Sequence, residues 1–282
     1  MRRLPDDLWD QPAWTSPPRL GTAAARRFYR QHVDDLVYLT LEVQTVGTLE
    51  QFMTAAGTAL GKELGRSPRD VLSGWFDGLD HIKGTLEKTQ AIRGEISLVR
   101  SLENLLVYLS ELLHEIFIRK PETLRSQEAV ALEEVLRHST LDDFVRWAAD
   151  RRVTDLSFKG SGDLNRYFAD RLKLPIVTDD RLGEWFSETV ASRNLFVHRR
   201  GYVDERYLKA VPQSELAIGD HLGVSASDGF HAIAAAALIV NDLDGRAASK
   251  FNLPEVETGV DAEWQEATVE SMSAQEDTEA KA

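Results

Sequence analysis

An all-α fold is predicted by three features of this sequence. Leu98, Leu102, Leu105, Leu109, Leu112 and Ile116 alternate steps of four and three, and Leu106, Leu113 and Phe117 widen them into one apolar helix face. Leu182, Trp185, Phe186, Val190, Phe196 and Val197 recur at similar steps. An alanine-rich run inside 229–251 suits close helix packing, and no repeat period suggests a solenoid.

Taken in chain order, residues 1–20 carry Pro5, Pro12, Pro17 and Pro18 and read as an irregular arm. A helical segment is expected from Thr22 to Leu64, with Gly47, Gly57 and Gly61 marking breaks or close packing. Glycines and Pro68 predict short helices and turns between Gly65 and Gly94. The leucine-rich helix follows and ends at Pro121. A helix is expected from Arg125 to Arg137, and Thr140 with Asp143 resembles a capping box for the next. A loop at Gly160-Ser161-Gly162 leads to a short helix bearing Leu164, Tyr167, Phe168 and Leu172, closed by Pro175. The motif-bearing helix spans Asp179 to Arg200, with Gly201 as a left-handed stop. Glu215–Val224 reads as a small hairpin or extended loop, and Ser227 or Asp228 caps a last helix, Gly229–Phe251. The division expected is an N-terminal arm and helical region at 1–94, a helical domain at 95–253 and an acidic disordered tail at 254–282.

The chain has 282 residues, 43% of them hydrophobic, enough for a sizeable core. It contains no cysteine, which excludes disulfides, thiolate metal sites and cysteine nucleophiles, and fits a cytoplasmic location. The first residues lack the apolar stretch of a secretory signal, and the longest apolar run, Ala232–Val240, is far short of the roughly 20 residues that cross a bilayer. A net charge of −13 opposes nucleic-acid binding at first sight. Nine acidic residues and one lysine lie in 254–282, however, which leaves −5 for the rest. That tail, in which Trp264 is the one candidate anchor, reads as a solubilising terminus, with an internal phosphate mimic or a partner-binding strip as the functional alternatives.

The residues with chemistry lie at the end of the helix at 179–200. Arg193 falls on its apolar face, where an unpaired guanidinium costs several kcal/mol, so it either finds an anionic or hydrogen-bonding partner or, in the plainer reading, snorkels with its stem packed and its head in water. Ser187, Ala191, Asn194 and His198 form a second, small or polar stripe that presents an amide and an imidazole together. At ~3.6 residues per turn Arg193 and His198 diverge by roughly 140°, so the two of one chain need not meet. Two copies packed about a two-fold axis would pool both pairs in one cleft. Arg199 and Arg200 suit an RNA backbone and Tyr202 a base; a solvated helix end with dipole-compensating cations is the plainer reading.

Other patterns carry less. Lys159-Gly160-Ser161-Gly162 lacks the downstream residues of a phosphate loop, and His114-Glu115 is followed by Ile118 where a helical zinc motif needs histidine. His32, His81, His138, His221 and His231 have no neighbours of metal-ligand type, there is no nucleophile elbow, and no metal or cofactor is expected.

Arg193-Asn194-x-x-x-His198 resembles the Arg-x-x-x-x-His motif of the HEPN ribonucleases. The continuation Val197 to Leu208, through Gly201-Tyr202-Val203-Asp204, together with the leucine-rich helix and Pro121-Glu122, is most similar to the branch called RiboL-PSP-HEPN. The resemblance covers roughly residues 95–253. It implies an antiparallel helical bundle that dimerises through the motif helices and a metal-independent endoribonuclease producing 2′,3′-cyclic phosphate and 5′-hydroxyl ends. In it Arg193 would hold the scissile phosphate, His198 would transfer protons and Asn194 would position. It further implies a toxin or antiviral defence role with RNA as substrate and an antitoxin or sensor protein as partner. The alternative is a non-catalytic helical module that binds a protein partner or a nucleotide.

Overall fold

The computed structural model describes residues 4–11, 17–124, 130–159 and 161–259, excepting the side chains of 42, 43, 157–159 and 161. The described residues are predominantly helical, as the sequence predicts. The arm residues Pro12 and Trp14, the first turns expected from Arg125, Gly160 and the tail from 260 onward lie outside them.

Two helices form the frame. After a short helix α1 (Asp6–Trp9), α2 runs through Ala23–Leu64 and, past the four-residue α3 (Pro68–Val71), α4 runs through Ser73–Arg119. Their side chains pair in antiparallel order: Arg27 with Glu111 and Glu115, Arg100 with Asp35, and Lys83 with Glu50. Gly57 and Gly61 mark close packing rather than breaks in α2, one of the two readings the sequence allowed, whereas the segment 65–94 is mostly one helix rather than several short ones, a correction to the sequence reading. Each helical glycine costs up to about 1 kcal/mol relative to alanine, and packing along the hairpin offsets it. Gly57 and Gly61 sit where the chain turns back, and a methyl on Gly57 would fall 2.9 Å from Pro68. Residues 94 and 95, where the sequence suggested a boundary, lie inside α4.

The core lies at the C-terminal half of α4. Helix α10 (Ala226–Phe251) packs there with its buried alanine run, and Ser101 Oγ donates to the Ala232 carbonyl at 2.9 Å. Ser225 caps α10, with Asp228 closing the reciprocal bond, two to three residues earlier than expected. A two-residue antiparallel pair, β1 (Leu20–Gly21) with β2 (Val256–Glu257), ties the segment after α10 to the start of α2. Beneath it Asp244 accepts from Thr22 N at 2.9 Å, Thr22 Oγ1 at 2.6 Å and Tyr108 Oη at 3.1 Å, joining three segments at one carboxylate.

The remaining helices are α5 (Leu132–Leu136), α6 (Leu141–Lys159), α7 (Ser161–Arg166) with a π-helical turn at Tyr167–Arg171, α8 (Asp180–Arg199) and α9 (Glu205–Ala210); α6 and α8 pack on α4, α7 on α6 and α9 on α8. Thr140 Oγ1 accepts from Asp143 N at 3.1 Å, the cap expected for α6.

Candidate functional site

Helix α8 carries the motif. Asp179 caps it by accepting from Arg181 N, and the Arg181 guanidinium, which also reaches Asp7, holds the Asp179 carboxyl below the usual range. The buried face is formed by Leu182, Trp185, Phe186, Thr189, Ser192, Leu195 and Phe196. The hydrophobic stripe is thus rotated from the sequence reading: Ser192 is fully buried, its hydroxyl bonded to the Glu188 carbonyl at 2.8 Å, whereas Val197 is exposed. Burial pushes the Tyr207 phenol on α9 upward, with the Glu188 charge adding to it and hydrogen bonds to Ser192 and Ser214 opposing it.

Arg193 consequently sits at the margin of this face, with 26% of its side chain accessible, and it has an anionic partner, one of the two readings the sequence allowed. Its Nε donates to Glu103 Oε1 on α4 at 2.7 Å, an Nη reaches the same oxygen, and the other Nη donates to Asn194 Oδ1 at 3.2 Å. Arg193 and Asn194 line a groove of about 440 Å³ between α4, α7 and α8, whose floor includes Leu102, Leu106 and Val190 and whose α4 rim carries Glu103 and Glu111.

His198 lies elsewhere. It is exposed on the last turn, does not line the groove, and among the described residues its imidazole has no hydrogen bond or ion pair. One chain therefore presents the guanidinium and the imidazole apart, as the helical angle implies, with the Asn194 amide shared between the groove and the line that leads to His198. Ser187, Asn194 and His198 are exposed on one line along α8, with only Ala191 between them buried.

The helix ends one residue earlier than expected. Arg200 itself is left-handed, with φ 54°, and Gly201 follows at φ 81°. The N–H of each is directed to the Leu195 carbonyl, which closes the helix end. Arg199 approaches Asp204 at 3.9 Å, while Arg200 is exposed with no ion pair among the described residues. The loop after α9 returns as an extended strip rather than a hairpin: Leu222 N donates to Gly201 O and Val203 N to Asp220 O, both at 2.8 Å. This brings His221, which no spacing signals, against the exposed Tyr202 ring edge-to-face at 5.2 Å and over Gly201. Arg199, Arg200, Tyr202 and His221 thus cluster at the end of α8.

No set of three or more acidic or histidine side chains suited to a metal occurs among the described residues. His114 pairs instead with Asp150 at 3.0 Å, and His231 accepts from Leu4 N at 3.2 Å. No described helix is long and apolar enough to cross a membrane. Comparisons with models of protein families, with curated proteins and with solved structures found no match to this chain. Fold and site together define a predominantly helical protein with an arginine–amide pair in a groove and an exposed imidazole and cations at the same helix's end.

Proposed function

We propose that the protein is a metal-independent endoribonuclease of the HEPN type, acting as a homodimer through α8, in a cytoplasmic toxin or antiviral defence setting. The observation that carries this reading is α8 itself: Arg193 and Asn194 at a groove, and His198 exposed and unpartnered one turn further along. RNA cleavage needs a base for the 2′-hydroxyl proton, a cation for the phosphorane charge and a proton for the departing 5′-oxygen. Two copies of α8 about a two-fold axis supply two guanidiniums and two imidazoles. One His198 takes the proton as the 2′-oxygen bonds to phosphorus, the other donates to the 5′-oxygen as its bond to phosphorus breaks, and Arg193 holds the phosphate. Arg199 and Arg200 follow the backbone and Tyr202 stacks on a base.

The Arg193–Glu103 ion pair favours a second reading, a non-catalytic module binding a protein partner or a nucleotide, because phosphate must compete with a carboxylate already in place. Total RNA incubated in EDTA with wild type and with His198→Ala separates the two. The nuclease reading expects cleavage with cyclic-phosphate ends by wild type alone. RNA left intact by wild type, or cutting that requires added magnesium, overturns it.

A further inference from the structure

The C-terminal half of α10 borders a shallow cleft of about 520 Å³, whose floor is Leu174, Pro175 and the bare backbone of Gly245 and whose rim carries Lys173, Arg246 and Lys250. Backbone contacts hold two of these cations in place. Lys250 Nζ donates to the Lys173 carbonyl at 2.7 Å, and Arg246 donates to the carbonyls of Pro175 at 2.8 Å and Ile176 at 3.3 Å. Asp242 neutralises Arg246, whereas among the described residues neither Lys173 nor Lys250 has a carboxylate partner. The floor is open as well, since a methyl built on Gly245 meets no atom within 4 Å. An apolar floor under two uncompensated ammonium groups suits an aromatic ring flanked by carboxylates.

We infer that this cleft seats the chain's own segment 261–266, Asp261-Ala262-Glu263-Trp264-Gln265-Glu266, with the Trp264 indole over Gly245 and Pro175 and the flanking carboxylates against Lys173 and Lys250. Composition selects this occupant among the segments outside the described residues. Residues 12–16 include a tryptophan but no acid, residues 125–129 include one acid and no aromatic, and residues 260–282 combine Trp264 with seven carboxylates and one lysine. Reach selects it too. A methyl built on Gly21 would lie 3.2 Å from Asp244 Oδ2 and 3.3 Å from Thr258 Cγ2, so the chain at Thr258 runs beside the α10 residue that precedes Gly245. The cleft is therefore roughly one helix diameter, ~10 Å, from Thr258, and the six residues from there to Trp264 span up to about 20 Å. A tether this short gives the segment an effective concentration on the order of millimolar, at which one indole and a few exposed ion pairs suffice for docking. This contact is separate from α8 and stands whether or not the protein cuts RNA.

Disulfide formation in the full-length protein tests the inference, because the chain has no cysteine of its own. Ser249, exposed in the cleft, supplies the first position. Ser249→Cys/Gln265→Cys is expected to close within one chain at least ten-fold faster than Arg26→Cys/Gln265→Cys. Arg26 follows Ala25, whose Cβ lies 3.1 Å from the same methyl position on Gly21, so both pairs are within the segment's reach and only the seat distinguishes them. A glutamate-specific protease gives a second measurement. Cleavage after Glu263 and Glu266, relative to Glu276, should quicken at least five-fold in Lys173→Glu, which reverses the rim charge, and in Gly245→Phe, whose added side chain starts in open space and fills the floor. Equal closure of the two cysteine pairs, disulfides that form only between chains, or unchanged cleavage in either variant overturns it.

Discussion

Arg193 on α8 is fastened to Glu103 on α4, Nε to Oε1 at 2.7 Å, at the rim of the groove that Asn194 also lines. The pair bridges two helices that are distant in sequence, and it answers the requirement that a guanidinium beside an apolar face be neutralised. Both side chains remain partly accessible, so the pair contributes at most about 1 kcal/mol to the fold. Its larger effect is on ligands, because it sets how much positive charge the groove offers.

Glu103→Gln therefore releases Arg193 toward phosphate. A single-stranded RNA oligonucleotide should bind about three- to ten-fold more tightly, and its salt dependence should steepen by about 0.7, the value for one added phosphate contact on a single strand. The melting temperature should move by only a few degrees. Fluorescence anisotropy across a salt series reads both quantities, and weaker binding by the variant would show instead that Glu103 holds Arg193 in its working pose.

Arg200 separates fold from function at the other end of the site. A left-handed backbone costs an L-residue roughly 1 kcal/mol that glycine does not pay. Arg200→Gly should raise the melting temperature by about 2–4 °C while weakening RNA binding several-fold through loss of an exposed cation. Calorimetry beside the same anisotropy assay checks both; unchanged binding would remove Arg200 from the RNA surface.

The sequence carried helix positions better than helix faces. Leu98 to Ile116, Thr140 and Asp179 are read where they lie because periodicity and caps are local signals. Gly57 and Gly61 are the points of close packing that the sequence offered as one reading, whereas Gly74, Gly78 and Gly84 pointed to turns that a long two-helix hairpin overrides, since intrinsic propensity yields to tertiary packing. On α8 the period was correct but its phase was not: Ser192 is buried because its hydroxyl is satisfied by the Glu188 carbonyl, while Val197 occupies the open last turn. Glu103 and His221 reach the site from residues 90 and 23 positions away from Arg193 and His198, and no local pattern encodes such long-range pairings.

Asp244 makes stability depend on pH. Burial pushes its carboxyl above the ordinary range of about 4, against the opposing hydrogen bonds from Thr22 and Tyr108, and burial acts likewise on Glu115 and Asp35. A raised folded-state value means that the native protein binds the proton more tightly than the unfolded chain. The resulting stabilisation is complete below the ordinary carboxylate range and is lost as pH rises through the raised value. Wild type should therefore melt at a higher temperature near pH 5 than at pH 8, and Asp244→Asn should show a smaller difference. Equal pH differences in the two proteins would assign the effect to other groups.

Gly94 sits where α4 crosses the start of α10, and a methyl built on it overlaps the Ser225 carbonyl, a backbone group that cannot rotate away. The facing Gly229 is also close, though less so, with its own methyl position 2.9 Å from Ser97 Cβ. Gly94→Ala must therefore push α10 outward along the contact that buries Ala232 to Ala237, at a cost of about 2–4 kcal/mol. Gly84→Ala on the same helix meets nothing within 4 Å, and relief of glycine's backbone entropy should stabilise it by about 0.5–1 kcal/mol. Urea unfolding of the two variants gives the comparison directly. Midpoints moving the same way would mean that the α4–α10 crossing is not as close as its geometry requires.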